Sequence, residues 1–249
     1  MKIALIGYGN LGKAIAKCLS RKHEIIATKR NLDVKAKSKR IEITNNNAYA
    51  VKNAECVIIA VKPKDISPVL DEIKDYVENK LVISFVAFVS LKEIKSKINA
   101  RVVRAMGNIG IELGKSFVAY YTENGEDEKL LSILSLMGKV YKAENEREID
   151  LMTVFSGSAP AFVARLIDAF VLAGLKHGLN AELSKELALS IFNATAELLK
   201  RETTESLIKR IATPGGTTIE GLMEMEKHRV VHGIASSIGK AVEKIFKKE

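Results

Sequence analysis

Short apolar runs alternate with amphipathic stretches through the first part of the chain. Continuous apolar runs bounded by polar residues are typical of buried strands, whereas apolar residues at every third or fourth position predict helices. On this basis we predict strands over residues 2–7, 23–30, 56–63, 81–89, 101–106, 116–122 and 139–143, and helices over 11–22, 68–79 and 91–98. Strands that alternate with helices favour an α/β fold, with a parallel, doubly wound sheet that helices cover on both faces.

The β pattern ends near residues 143–147, and helical periodicity follows. Residues 159–175 are apolar nearly all round, and such a helix must be covered on every side, by a bundle or by another subunit. We therefore predict an α/β domain over residues 1–145 and an all-α domain over 146–249.

A glycine-rich turn connects the first predicted strand to the first predicted helix. It reads Gly7-Tyr8-Gly9-Asn10-Leu11-Gly12, a G-x-G-x-x-G pattern. Gly7 makes the tight turn, Gly9 lets the backbone approach a pyrophosphate, and Gly12 lets the helix pack on the strand. The start of the helix offers free N–H groups to the phosphates. In this position the pattern predicts a dinucleotide site, with a structural turn as the alternative.

The residues after the second predicted strand bear on the choice of cofactor. NAD enzymes usually carry Asp or Glu there, which accepts a hydrogen bond from the ribose 2′-hydroxyl. This chain has Thr28, Lys29, Arg30 and Asn31 instead, and two cations suit a 2′-phosphate. We therefore predict NADPH as the preferred cofactor, with a solvated basic turn as the alternative.

The most distinctive feature of the second half is Thr213-Pro214-Gly215-Gly216-Thr217-Thr218. Pro214 is expected in a first helical turn, and the two glycines keep side chains away from the backbone. Two threonine hydroxyls beside N–H groups that begin a helix make a small anion site suited to a carboxylate. An N-capped turn between two helices explains the same residues. Earlier in the chain, Ser156 or Ser158 is expected to cap the helix that follows.

The chain is basic, with 39 Lys and Arg against 30 Asp and Glu and a formal net charge of +9. A basic chain attracts polyanions, so nucleic acid is a candidate partner. Much of the excess, however, lies in a predicted loop, 35–40, and a tail, 244–249, and the chain has no Trp to stack on bases. We therefore expect a small acidic molecule as the partner, and no nucleic acid.

The cysteines and histidines indicate little redox or metal chemistry. Cys18 and Cys56 lie in apolar stretches, which predicts core positions and excludes a disulfide framework. The four histidines are scattered without an HExxH pattern, so we expect no metal.

The sequence also predicts a cytoplasmic protein that does not enter a membrane. Gly7 and Gly9 interrupt the apolar start too early for a signal peptide. Residues 159–175 carry Arg165 and Asp168 and fall short of the roughly 20 residues that span a bilayer.

Six motifs occur together in a fixed order: GYGNLG, Asn47, AVKP at 60–63, R-x-M-x-N at 104–108, SGSAPAF at 156–162 and TPGGTT at 213–218. With this set the chain resembles the pyrroline-5-carboxylate reductase family over nearly its whole length. The resemblance implies a Rossmann domain that binds NADPH, or NADH as the second candidate. It also implies a helical dimerisation domain that forms a homodimer, often assembled into a decamer. The implied reaction reduces the cyclic imine 1-pyrroline-5-carboxylate to L-proline, the last step of proline biosynthesis.

The resemblance also implies roles for particular residues. Those expected to contact the cofactor are Gly7, Tyr8, Gly9, Asn10, Leu11, Gly12, Thr28, Lys29, Arg30, Asn31, Asn47, Ala60, Val61, Lys62, Pro63 and Asn108. Those expected to bind the substrate are Glu202, Thr213, Gly215, Gly216, Thr217 and Thr218. Thr218 is expected near the imine nitrogen, as the catalytic residue.

Several positions depart from the family pattern. Gly107 replaces a proline, Phe88 and Ala159 replace glycines, and Phe162 replaces a tyrosine. Phe88 and Gly107 are expected near the nicotinamide or the substrate, so the preferred imine stays open. A related cyclic imino acid as substrate, or a cofactor-binding sensor of the same fold, are the alternatives. A β-hydroxyacid dehydrogenase is disfavoured because the helix after the 156–158 turn carries Arg165 but no lysine in its first turns.

Overall fold

The computed structural model describes residues 1–32 and 38–246. They form two compact units, the first over Met1–Ser158 and the second from Ala159 onward. Residues 35–37 of the predicted basic loop and residues 247–249 of the basic tail lie outside the described residues.

A sheet, to which the described residues contribute eight strands, forms the centre of the first unit. Its strands are β1 (Lys2–Ile6), β2 (Glu24–Thr28), β3 (Ile41–Thr44), β4 (Cys56–Ile59), β5 (Leu81–Ser84), β6 (Arg101–Met106), β7 (Ser116–Tyr121) and β8 (Gly138–Lys142). The order across the sheet is β3-β2-β1-β4-β5-β6-β7-β8. Neighbouring strands run parallel, except that β7 runs antiparallel to β6.

The predicted doubly wound sheet is therefore confirmed. The prediction that all its strands are parallel is wrong for one pair, β6 and β7. The connection from β6 to β7 holds only a short 3₁₀ helix, Ile109–Leu113. A parallel pair needs a crossover of about a dozen residues or more, so this short connection gives an antiparallel pair.

Two predicted strands end earlier than the apolar runs suggest. β4 stops at Ile59, after which Ala60 leaves the sheet, and β5 stops at Ser84. The rest of the second run turns back at Phe88, whose φ of 61° is incompatible with an extended strand.

The described residues of the first unit form the α-helices α1 (Asn10–Leu19), α2 (Asn47–Lys52), α3 (Ile66–Ile73), α4 (Leu91–Lys95), α5 (Glu128–Met137) and α6 (Glu146–Met152). Side-chain caps fix where several of them begin. Asn46 accepts a hydrogen bond from Tyr49 N–H at 2.8 Å, and Asp127 accepts one from Leu130 N–H at 2.7 Å. Ser90 forms a capping box with Glu93 at the start of α4.

The apolar core lies on both faces of the sheet. In β1, Ile3 and Leu5 face one cluster of buried side chains, whereas Ala4 and Ile6 face the other. Alternate residues of a strand point to opposite faces, so a strand that is apolar throughout requires cover on both sides. That double burial is why β1 carries a continuous apolar run.

A buried arginine ties α6 to the sheet. Arg104 of β6, whose side chain is 2% exposed, pairs with Glu146 at 2.9 Å and with Asp150 at 2.6 Å. Glu146 also accepts a hydrogen bond from Leu91 N–H at 2.8 Å, at the start of α4. These bonds hold residues 146–152 against the sheet of the first unit.

The second unit consists of helices: α7 (Ala159–Lys176), α8 (Ala181–Leu198), α9 (Thr204–Ile211), α10 (Thr217–Lys227) and α11 (Val230–Phe246). Phe170 and Phe192 meet edge to face between α7 and α8, with ring centroids 5.3 Å apart. Within the described residues, α7, α10 and α11 contain no buried position. The predicted change from an α/β to an all-α region is confirmed.

The expected cap at Ser156 or Ser158 is wrong. Both serines lie in a π-helical stretch, Thr153–Ser158, that continues α6. The Ser156 hydroxyl donates to Phe117 O at 2.8 Å, and the Ser158 hydroxyl donates to Thr153 O at 3.2 Å. Both hydroxyls therefore donate hydrogen bonds to backbone carbonyl groups. Because the helical stretch continues from α6, no helix begins at these serines.

The same continuation lengthens the apolar helix. Residues Glu146–Lys176 form one helical stretch of 31 residues that is long and apolar enough to cross a membrane by length and composition. The expectation that this segment is too short is wrong, because it counted only residues 159–175.

Candidate functional site

The glycine-rich turn leaves β1 along a path that only glycine allows. Gly7 has a φ of +103°, and a Cβ at this position would lie 2.7 Å from Ala60 O. A Cβ on Gly12 would lie 1.9 Å from Gly7 O, so this glycine lets α1 pack directly on the turn. The predicted structural roles of Gly7 and Gly12 are confirmed.

Gly9 differs from these two glycines because it faces open space. A Cβ there would meet nothing within 4 Å. Gly9 is the N-cap of α1, and among the described residues no side chain caps this helix. The turn therefore combines an accessible backbone with a helix N-terminus, which is the arrangement that binds a phosphate group.

A cavity of about 450 Å³ opens at this turn, at the carboxyl ends of β1, β2 and β4. Its lining residues are Ile6, Gly7, Tyr8, Gly9, Thr28, Lys29, Arg30, Asn31, Asn45, Asn47, Ala60, Val61, Lys62, Lys64, Asp65 and Val69. Ligands bind in this place in open α/β sheets, outside the strand ends where the chain direction switches. Three predicted cofactor segments and Asn47 thus meet in one cavity.

Five residues predicted to contact the cofactor lie outside this lining: Asn10, Leu11, Gly12, Pro63 and Asn108. Pro63 begins a 3₁₀ helix, Pro63–Asp65, whose other two residues do line the cavity. Gly12 acts through packing, as its position against Gly7 demonstrates.

The sequence analysis missed Ile6, Asn45, Lys64, Asp65 and Val69, which also line the cavity. Asn45 follows β3, a strand that was not predicted. Lys64 and Asp65 follow the AVKP motif directly, and they reach the cavity because β4 lies beside β1.

Hydrogen bonds to neighbouring residues hold two polar residues of the cavity lining, Asn47 and Thr28, in place. Asn47 is the first residue of α2, and its Nδ2 donates to Glu72 Oε2 at 2.6 Å. Thr28 accepts from Tyr8 N–H through its carbonyl at 2.9 Å and from Gly7 N–H through Oγ1 at 3.4 Å. Burial raises the pKa of the Tyr8 phenol.

Asn108 has a structural environment that the sequence did not reveal. Its Nδ2 donates to Ser156 O at 3.1 Å, and its Oδ1 accepts from Gly110 N–H at 2.8 Å. The neighbouring Gly107 sits tightly, since a Cβ there would lie 3.1 Å from both Ile111 Cδ1 and Ser116 Oγ. Asn108 therefore links the π-helical stretch to the end of β6.

The 213–218 loop lies in the second unit and begins α10. Gly215 has a φ of +69°, and Gly216 N–H donates to Thr213 O at 3.0 Å. Gly216 is the N-cap and Thr217 the first helical residue, so Pro214 stands before the first helical turn, not inside it as expected. The loop places the amides and hydroxyls of Thr217 and Thr218 at a helix N-terminus, where the dipole favours an anion.

Glu202, a predicted substrate residue, bonds to two side chains of the second unit. Its carboxylate accepts from the Ser206 hydroxyl at 3.0 Å and pairs with Arg210 at 2.9 Å. The side chain is 14% exposed. Glu202 thus fixes α9, the helix that leads into the 213–218 loop.

Both cysteines are core residues, as predicted. Burial raises the pKa of the Cys56 thiol to about 12, and burial also raises that of Cys18. Across residues 1–32 and 38–246, no three His, Cys, Asp or Glu residues are placed to hold a metal ion.

Both halves of the chain match families of known proteins. Residues 146–248 match the family model described as pyrroline-5-carboxylate reductase dimerisation, and residues 2–88 match one described as NADP oxidoreductase, coenzyme F420-dependent. The pyrroline-5-carboxylate reductase of Aquifex aeolicus is 35% identical over 244 residues, covering 91% of this chain and 89% of the relative. That of Synechocystis is 31% identical over 264 residues, covering 100% and 97%.

Solved structures show the same fold. The 1-pyrroline-5-carboxylate reductase of Streptococcus pyogenes is 26% identical, with a TM-score of 0.85 over 98% of both chains. The Plasmodium falciparum pyrroline carboxylate reductase, solved with NADP bound, is 24% identical, with a TM-score of 0.89 over 98% of this chain and 97% of the other. The likeness therefore extends over both units.

Proposed function

This chain belongs to the pyrroline-5-carboxylate reductase family, and we propose that it reduces 1-pyrroline-5-carboxylate to L-proline with a nicotinamide cofactor. The observation that carries the proposal is the cavity beside Gly9, where four separate stretches of the chain meet, those around Gly9, Arg30, Asn47 and Lys62. Relatives that align over nearly the whole chain are named for this reaction.

NADPH is the cofactor that the cavity fits best. Gly9 and the uncapped start of α1 suit a pyrophosphate, because the backbone is open there and its N–H groups carry partial positive charge. Lys29 and Arg30 line the same cavity beyond β2 and suit the 2′-phosphate. When bound, NADPH supplies the hydride that reduces the C=N carbon. The family model over residues 2–88 and the Plasmodium structure also name NADP.

The 213–218 loop is the proposed site for the substrate carboxylate. Thr217 and Thr218 offer backbone amides at the start of α10, and their hydroxyls lie on the same turn. Gly215 and Gly216 shape the loop, since Gly216 N–H is already bonded to Thr213 O. In this proposal the Thr218 hydroxyl also holds a proton near the imine nitrogen. Glu202 supports the loop through its bonds to α9.

We further propose a cytoplasmic homodimer, with a decamer as the larger assembly that the family resemblance implies. The dimerisation model covers the helical region, whose exposed apolar side chains need cover from a second copy. The same cover explains the apolar stretch Glu146–Lys176 without a membrane. The proposed partner is a small cyclic imino acid, with no nucleic acid.

Oxidation of NADPH in the presence of 1-pyrroline-5-carboxylate tests the proposal. Thr218→Ala should lower kcat/KM by roughly 10- to 150-fold, the effect of losing one hydrogen bond to a charged group, and leave NADPH affinity unchanged. The matched control is Thr204→Ala, because Thr204 also lies in a first helical turn, in α9. It should have wild-type kinetics.

Two results would contradict the assignment. An inactive wild type that binds NADPH would favour a sensor, and faster turnover of another cyclic imino acid would change the substrate. Near-normal kcat/KM in Thr218→Ala would remove the 213–218 loop from the site.

A further inference from the structure

An ion pair joins the two loops that flank the glycine-rich turn. Arg30 Nη2 lies 2.5 Å from Asp65 Oδ1. Arg30 follows β2, whereas Asp65 ends the 3₁₀ helix that follows β4. Since β1 lies between β2 and β4, the pair connects the loops on either side of Gly7 and Gly9. Both side chains line the cavity.

The Asp65 carboxylate serves Arg30 and not the helix backbone. The backbone of Asp65 is itself helical, with φ of −99° and ψ of −5°, because the 3₁₀ helix Pro63–Asp65 continues directly into α3. In the part of the chain that the structure describes, its side chain makes no hydrogen bond to the start of α3. The carboxylate is directed to the cavity side, where it meets the guanidinium.

The ion pair adds little to the stability of the fold. The Arg30 side chain is 81% exposed and that of Asp65 is 22% exposed, and pairs of this kind contribute weakly to folding. The ion pair matters instead for cofactor binding, because Arg30 is the cation proposed for the 2′-phosphate of NADPH. One guanidinium then faces two anions, the Asp65 carboxylate and the phosphate.

We propose that Asp65 is a specificity-determining residue that competes with the 2′-phosphate of NADPH for Arg30. NADH has a 2′-hydroxyl at this place, so it loses nothing when Arg30 stays paired. Asp65 thus reduces the ratio of the NADPH affinity to the NADH affinity. This inference rests on the proposed function, in which Arg30 recognises the 2′-phosphate.

The test is calorimetric binding of NADPH and NADH to the full chain carrying Asp65→Asn, which removes the charge but keeps the shape. NADPH should bind about fivefold more tightly, the amount by which releasing one exposed ion pair changes a binding constant. NADH binding should be unchanged. The matched control is Asp71→Asn in α3, the helix that follows Asp65; the Asp71 carboxylate pairs with Lys97 at 2.8 Å, and Asp71 lies outside the cavity lining. It should change neither constant.

A second background shows whether Asp65 acts through Arg30. In Arg30→Ala, adding Asp65→Asn should leave NADPH affinity unchanged, because the competed guanidinium is gone. An effect that persists there would overturn the proposal, as would weaker or equal NADPH binding in Asp65→Asn, an equal gain for NADH, or no measurable NADPH binding by any variant. Because only binding is measured, a chain that binds NADPH but reduces no imine would refute the proposed function and leave this inference standing.

Discussion

The two units bury their apolar side chains in opposite ways. In the first unit, strands such as β1 and β4 are buried on both faces, and helices cover the sheet. In the second unit, large apolar side chains face outward, among them Phe170 (52% exposed), Met223 (65%) and Val231 (64%). A single chain therefore completes the core of the first unit. The second unit instead exposes apolar side chains that form a surface for assembly. A dinucleotide site can be built in one chain, but the helical unit needs a second copy.

Charged side chains follow the same division. In the first unit Arg104 joins elements far apart in sequence, from β6 to α6. In the second unit many pairs are local, three residues apart on one helix: Arg165–Asp168, Lys200–Glu197, Lys227–Glu224 and Lys240–Glu243. Buried long-range pairs fix tertiary structure, whereas exposed local pairs only support a helix.

The largest expected effect comes from this contrast in charge. Arg104→Met leaves Glu146 and Asp150 without their cation, so the free energy of unfolding should fall by about 3 kcal/mol. Arg165→Met removes an exposed pair on α7 and should cost at most about 1 kcal/mol. Urea unfolding of both variants measures the difference. Equal losses would break the distinction between the two units.

The next effect concerns assembly. Phe170→Asp places a charge on the exposed apolar surface of α7, and the dimer dissociation constant should rise about 30-fold or more, as expected of an aromatic residue at an interface. Leu113→Asp alters a side chain that is 61% exposed in the first unit, and it should leave the dimer intact. Light scattering at micromolar concentration reports both masses. A dimeric Phe170→Asp protein would show that α7 is not part of the interface.

The smallest effect is a pH dependence in the first unit. Burial, followed by the charges of the N-terminus and Lys22, lowers the pKa of His23 in the folded protein. The unfolded chain then binds more protons between that lowered pKa and about 6.5, so His23 costs stability as the pH falls through this window and costs nothing above it. His23→Gln should flatten the fall between pH 7.5 and 5, by well under about 1 kcal/mol because solvent screens a part-exposed group. An unchanged pH slope would contradict this.

Much of the first unit could be predicted because its strands are buried on both faces and leave unbroken apolar runs. β3 escaped detection because only Ile41 and Ile43 are apolar in its four residues. The helix α5 was not predicted either, although Asp127 caps it and Leu130, Ile133, Leu134 and Met137 recur at helical spacing. The end of β5 depends on the positive φ of Phe88, which no local pattern indicates.

The candidate site was predictable where a motif lies on one segment, as at Gly7 to Gly12. It was not predictable where strand order brings segments together. Asp65 meets Arg30 only because β4 and β2 flank β1, and Asn45 reaches the cavity through the unpredicted β3. Ser156 was assigned to a helix start because small residues suggest a turn, whereas its hydroxyl bonds Phe117 O on β7.

Titration of the Phe170→Asp variant with NADPH tests the central claim most directly, that one unit is complete in a single chain and the other is not. At a concentration where this variant is monomeric, it should bind one NADPH per chain with wild-type affinity and have lost reduction of 1-pyrroline-5-carboxylate. A monomer that fails to bind NADPH, or one that reduces the imine at the wild-type rate, would contradict the account.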